Sequence, residues 1–142
     1  MVRFLLLVFV SGCCNVINAQ SKILAGVVGL ENSKGVCRAC LFTSAASFKG
    51  EEKPYECKAV KVLNNRADVS FENIQPGTYA MLVFHDANNN DKMDKNFFGV
   101  PKEGYGASKN KLPFASAPVF KDNQFSVPPN TTIQLSIKIR NL

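Results

Sequence analysis

The chain has 142 residues, 46% of them apolar, and a formal net charge of +6, which suits one ordinary domain with a real core. Its lysines are scattered through Lys22, Lys34, Lys49, Lys61, Lys109 and Lys138 and do not interleave with aromatics. The basic balance therefore describes a solvated surface and argues against nucleic-acid binding.

Residues 1–19 have the form of an export signal: Arg3 supplies a short positive region, residues 4–10 are an uninterrupted apolar run, and Ile17-Asn18-Ala19 ends in a small residue suited to cleavage. The apolar run is too short to span a bilayer, which takes roughly 20 residues, and no other segment could cross. Cleavage before Gln20 would leave 123 residues and a charge of +5. A second reading takes Val10-Ser11-Gly12-Cys13 as a lipobox with Cys13 lipidated, although that signal would be unusually short. The chain is thus expected to be exported to the periplasm, the cell surface or the medium, as a signal at 1–19 and a domain at 20–142.

Past the signal no useful helical periodicity is found, whereas short alternating runs recur between turn residues. This predicts an all-β fold, a single antiparallel sandwich of about seven strands of the immunoglobulin-like or transthyretin-like kind. Strands are expected at 23–30 and 36–43, with a turn at 31–35 between them. A polar connection follows at 44–54, holding Phe48 alone. Strands at 56–63 and 67–71 are joined by an Asn64-Asn65 hairpin turn. After a turn at 73–77, residues 78–85 are apolar on both faces, with Tyr79, Met81 and Val83 opposite Ala80, Leu82 and Phe84, which marks a central strand. Residues 86–118 show no clear strand. The last strand, 131–139, alternates Ile133, Leu135, Ile137 and Ile139 with polar residues, and the Asn130-Thr131-Thr132 sequon is read as its start.

Three cysteines remain after cleavage. Cys37 and Cys40 have CxxC spacing but sit in a strand, with no second pair or histidine cluster to complete a zinc site. Residues three apart on a strand face opposite ways, so one of Cys37 and Cys40 can meet Cys57. Cys37 is the slight preference because Ala39 and Leu41 share its face; three reduced thiols are the alternative.

Residues 85–94, His-Asp-Ala-Asn-Asn-Asn-Asp-Lys-Met-Asp, place oxygen-bearing side chains at the spacing of a cation loop. Asp86, Asn88, Asn90 and Asp94 occupy positions 1, 3, 5 and 9, and Lys92 at position 7 offers a carbonyl, the order used by the first part of an EF-hand-type calcium loop. The pattern departs at position 6, Asp91 in place of glycine, and at position 12, Phe97 in place of a bidentate glutamate; Glu103 is the nearest substitute. Asp tolerates the left-handed conformation that position 6 demands. Calcium is the ion this loop suits, weakly because two placed side chains are charged, and a polar loop closed by Asx-turns is the equal alternative.

His85 is the sole histidine. It and Asp86 face opposite sides of a strand, so they do not form an acid/base dyad together, and a structural role is favoured. No Gly-x-Ser-x-Gly elbow and no phosphate loop occurs. The glycine-bearing stretch 99–106 is expected to cap one end of the sandwich, with Phe97, Phe98 and Tyr105 packed inward, rather than to form a ligand-binding lip.

Gly77-Thr78-Tyr79-Ala80, Phe84-His85-Asp86, Asn88, Asn90, Asp94, the block from Asn96 through Gly99-Val100-Pro101-Lys102-Glu103-Gly104-Tyr105-Gly106-Ala107-Ser108, and Pro118-Val119-Phe120 together resemble the bacterial domain of unknown function 2141. The resemblance runs from about residue 23 to the C-terminus. It implies an exported protein with an immunoglobulin-like or transthyretin-like sandwich and no established activity. The family's loop usually has glycines where Asn89 and Asp91 stand and an aromatic where Ala107 stands. The expected function is a non-catalytic binding or accessory module for an extracytoplasmic protein or carbohydrate ligand; the alternative is a hydrolase or carbohydrate-acting enzyme using His85, Asp86 and Glu103.

Overall fold

The computed structural model describes residues 20–141, so the expected signal, its cleavage site's upstream side and Cys13 lie outside the described residues. Strand β1 is Ser21–Val28, and its alternation buries Ser21, Ile23, Ala25 and Val27 on one face. β2 is Val36–Phe42, α1 is a single turn at Ala45–Phe48, β3 is Glu56–Lys61, β4 is Arg66–Ile74 and β5 is Gly77–Asp86. β6 is Tyr105–Ala107, α2 is Phe120–Asn123, β7 is Phe125–Val127 and β8 is Thr132–Lys138.

The strands form a β-sandwich. One sheet has the order β4-β1-β8 and the other β3-β2-β5-β6, with β7 pairing the first residues of β5. All pairings are antiparallel except that of β8, which runs parallel to β1 from Lys22↔Thr132 to Val28↔Lys138. Between the sheets lie Ile23 and Val27 of β1, Val69 and Phe71 of β4, Ile137 of β8, Cys37, Ala39 and Leu41 of β2, and Tyr79, Met81 and Val83 of β5. Fully burying the Val, Leu, Ile, Phe and Met side chains among these stabilises by about 1.5–3 kcal/mol each relative to exposure.

β5 is central, as its two apolar faces require: Met81 and Val83 enter the main core, while Ala80 joins Phe42 and Phe48 in a smaller cluster on the outer face. The connection after β2 is not the open stretch its polarity suggested. Ser44 caps α1 through a reciprocal pair with Ser47, and the turn drives Phe48 against Phe42 and Phe120, with ring centroids 5.3 and 5.9 Å apart. The Asn64-Asn65 hairpin is present with both residues at positive φ, 52° and 59°, as a two-residue turn of the primed type requires. Residues 86–118 do contain a strand, the three-residue β6, which the turn-rich surroundings concealed. Its Gly106 is needed because a Cβ there would lie 2.7 Å from Ile137 Cγ2.

The disulfide joins Cys40 to Cys57, not Cys37 to Cys57. Cys40 and Cys57 are register partners across β2 and β3, with Cα atoms 4.1 Å apart. Sharing a face with Ala39 and Leu41 is what removes Cys37 from the pairing, because that face is the core side, and both bridged cysteines point outward. Cys37 is a free, buried thiol whose pKa burial pushes up to about 12.

Peptide mapping without reductant should recover a Cys40–Cys57 link, and Cys37 should resist alkylation at mildly alkaline pH until denaturant is added. Reduction should destabilise the fold by about 3 kcal/mol, the loop-closure value for a bridge over 17 residues. A Cys37–Cys57 peptide, or native-state labelling of Cys37 as fast as of a free thiol, would contradict the strand register.

Candidate functional site

Asp86 ends β5 on the outer face of the larger sheet, and its side chain has no exposed surface. A buried carboxylate needs partners for its charge, and three are supplied. Arg38 Nε donates to Oδ2 at 2.7 Å, Asp91 N donates to Oδ2 at 3.0 Å, and Asn90 N donates to Oδ1 at 3.0 Å. Arg38 reaches it because Val36 is the register partner of Asp86, which makes Arg38 a diagonal neighbour across the strand pair. The same guanidinium also pairs with Asp91 through Nη2.

The loop beyond Asp86 draws its alternate side chains together as the sequence spacing predicts. Asp94 accepts from Asn88 Nδ2 at 2.7 Å and from Asn90 Nδ2 at 2.8 Å. Asn88 Oδ1 accepts from Asn90 N, and Asn90 Oδ1 accepts from Lys92 N, so both form Asx-turns. Asn89 and Asp91 lie at φ 56° and 66°, the left-handed region that glycine enters freely and that Asn and Asp tolerate better than most residues.

Glu103 does not complete this cluster. Its Oε1 accepts from Ala87 N at 3.2 Å and its Oε2 from Asp94 N at 3.0 Å, so one carboxylate ties the two ends of the loop together. His85, 2% exposed, points to the opposite side of the strand from Asp86, and its Nε2 donates to the carbonyl of Lys34 at 2.8 Å. The carbonyl comes this close because Gly35 lets the two chains touch: a Cβ on Gly35 would lie 2.0 Å from the Asp86 carbonyl oxygen. His85, Asp86 and Glu103 are thus each engaged with a separate structural partner.

Among the described residues, no group of three or more His, Cys, Asp or Glu side chains gathers as a metal centre. A cation at this loop would depend on Asn and carbonyl oxygens beside Asp86 and Asp94. That donor set fits a hard, oxygen-seeking ion such as calcium and not zinc. The amide groups of Asn88 and Asn90 would have to exchange their present hydrogen bonds for the ion.

The second feature was not foreseen. Phe97 and Phe98 are 97% and 85% exposed rather than packed inward, while Tyr105 is half-buried. Asn96 Oδ1 accepts from both Phe98 N and Val100 N, and Gly99 at φ 78° completes a tight turn that turns the two rings to solvent. Segment 97–100 therefore does not cap the end of the sandwich. Residues 98–101 and 114–118 border a groove of about 630 Å³ on the outer face of the larger sheet, floored by Cys40, Leu82 and Phe84. Arg140 holds the second border by donating to the carbonyls of Leu112 and Pro113, and Phe114 beyond it is fully exposed.

Arg38 and the groove were both missed by sequence reasoning. A lone charged residue inside the apolar run Val36–Phe42 was the available signal for the first, since such a residue needs a buried partner. For the second, the signal was the adjacent pair Phe97-Phe98 followed by glycine, an apolar loop tip with no alternating pattern to bury it.

Arg38→Ala should leave Asp86 with backbone partners alone and lower stability by about 3 kcal/mol, with Arg38→Lys recovering part of the loss because it keeps charge but not the fork. Denaturant titration of the three proteins reads this. Equal midpoints for wild type and Arg38→Ala would show that the pair contributes nothing.

No curated protein and no solved structure matches the chain. A family model does, over residues 26–134, which include the whole Asp86 loop, Glu103, and both borders of the groove. The chain belongs to the DUF2141 family, described as an uncharacterized protein conserved in bacteria.

Proposed function

We propose that the protein is an exported, non-catalytic binding module whose ligand face is the groove on the outer side of the larger sheet, with the residue 86–94 loop, organised by calcium, holding one border in place. The carrying observation is the exposure of Phe98 and Phe114 on the borders of a concave apolar surface, with Phe97 exposed against Phe98. Exposed aromatics at a groove mark a surface that is covered when the protein works. The volume falls within the range of ligand sites, about 300–1,000 Å³. Lys95 and Ser116 are nearly alone among apolar lining residues, which favours a hydrophobic ligand over the carbohydrate that the sequence left open. The Cys40–Cys57 bridge supports an oxidising compartment and hence export.

The engagement of His85, Asp86 and Glu103 in separate hydrogen bonds weighs against the hydrolase reading. His85→Gln is expected to lower stability while leaving no lost turnover in a screen of sugars, peptides and esters. Turnover that depends on His85 would overturn the reading. The binding face itself is checked with anilinonaphthalene sulfonate, whose fluorescence should rise on the native protein and fall back in Phe98→Ser/Val100→Ser. No native-state fluorescence gain would remove the groove as a binding face.

Calcium at ten times its dissociation constant should stabilise the fold by about 1.4 kcal/mol and raise the melting temperature by about 4 °C. Magnesium should do less because it dehydrates reluctantly. Asp94→Asn, which removes the carboxylate on which the Asn88 and Asn90 side chains meet, should abolish the shift. Calorimetry that gives the same melting temperature for chelated and calcium-loaded wild type would leave a loop closed by its own hydrogen bonds.

A further inference from the structure

We infer that the partner of this face is an anionic bilayer surface, into whose headgroup region Phe97, Phe98 and Phe114 insert; the inference rests on the groove face being the binding face. Three observations point there. Phe98 and Phe114 line the rim of the groove yet stay exposed, and Phe97, 97% exposed, lies outside its lining, so much of their apolar surface is left over for something other than a ligand lying in the groove. Such exposed aromatics suit a partner that is itself soft and apolar and that comes to them.

The second observation is charge. Residues 92–118 hold five lysines, Lys92, Lys95, Lys102, Lys109 and Lys111, against two carboxylates, Asp94 and Glu103. Both carboxylates are half-buried and engaged within the loop, Asp94 with the amides of Asn88 and Asn90, Glu103 with two backbone N–H groups. All five lysines are exposed, and among the described residues none of them takes part in an ion pair. A segment whose acids are held by hydrogen bonds and whose more numerous lysines are exposed and unpaired is complementary to a negatively charged partner.

The third is arrangement. Lys95 lines the groove together with Phe98 and Phe114, and Lys102 N donates to the carbonyl of Asp94 at 2.7 Å, beside the same turn. One cation thus lies beside the apolar tips and a second follows two residues after Val100 in the same stretch, a mixture suited to a membrane, which presents phosphate groups above hydrocarbon. Apolar insertion and attraction to anionic lipid act together in such interfacial binding.

Sedimentation with vesicles of equal parts phosphatidylcholine and phosphatidylglycerol tests this, with phosphatidylcholine vesicles as the neutral arm. The full chain is used throughout, so that residues 1–19 are common to every variant and differences report the loops. The protein should pellet with the anionic vesicles, and the partition coefficient should fall about tenfold for each Phe→Ser change at 97, 98 or 114 and about fivefold for each Lys→Gln change at 95 or 102, with added salt acting in the same direction. The phenylalanines are exposed, so unchanged circular dichroism and melting temperature in Phe97→Ser/Phe98→Ser establish that the fold persists.

Equal partition into both vesicle types, or partition untouched by Phe97→Ser/Phe98→Ser, would overturn the inference. So would a concentration-dependent dimer that Phe97→Ser/Phe98→Ser abolishes without any vesicle binding, since a second copy would then be the occupant. Binding of anilinonaphthalene sulfonate without vesicle binding sinks the membrane and leaves the groove as a binding face; absence of both sinks the two readings together.

Discussion

The buried carboxylate of Asp86 is the constraint from which the rest of this end of the molecule follows. A fully buried charge at the end of a central strand requires compensation, and the compensation here comes from a neighbouring strand and from the loop that β5 runs into. Arg38 of β2 fixes Asp86 from the sheet side, and the N–H groups of Asn90 and Asp91 fix it from the loop side. Two left-handed residues, Asn89 and Asp91, are the backbone consequence of curling those N–H groups back toward one carboxylate. Glu103 repeats the device from outside, joining Ala87 to Asp94. The turn that lifts Phe97 and Phe98 into solvent begins at Asn96, two residues after Asp94, so the position of the aromatic tips depends on this chain of carboxylates.

The sheet beneath has the same logic at lower cost. Its inner face is filled by apolar side chains from both layers, which fixes the register, and register fixes which residues point outward. Cys40, Leu82, Phe84 and Asp86 share that outward face, so one pleat carries the disulfide, the floor of the groove and the anchor of the loop. A shift of β5 by one residue would exchange Asp86 for His85 and send the anchor into the core. The contact of Gly35 with the Asp86 carbonyl and the bond from His85 to Lys34 hold that end of β5 against such a slip.

Much of the fold was legible because strand alternation has a period of two and each buried face declares itself in sequence: β1, β2, β3, β4, β5 and β8 were all readable, as was the Asn64-Asn65 turn. β6 and β7 were not, since three residues are too few to show a period, and α1 is built by a serine cap without the acidic partner that usually signals one. The parallel pairing of β8 with β1 leaves no local trace, because it depends on contacts more than a hundred residues apart. At the site, the spacing of residues 86–94 pointed to a polar loop, in which the side chains of Asn88 and Asn90 meet at Asp94. It did not tell that Arg38 supplies the counter-charge, or that Glu103 binds backbone instead of joining the cluster. Those partners are set by strand pairing and by the return of the chain after the loop. Phe97 and Phe98 were expected inside because large apolar residues are usually buried; their exposure is where that rule gives way and points to a partner.

Amide hydrogen exchange tests the role of Asp86 most directly. In the native protein the amides of Ala87, Asn90, Asp91 and Asp94, each bonded to a carboxylate, should be protected. In Asp86→Ala, protection at Asn90 and Asp91 should collapse and spread along residues 87–101, while the amides of β1, β4 and β8 keep theirs. Unprotected loop amides in the wild type, or loop protection that survives Asp86→Ala, would contradict the account.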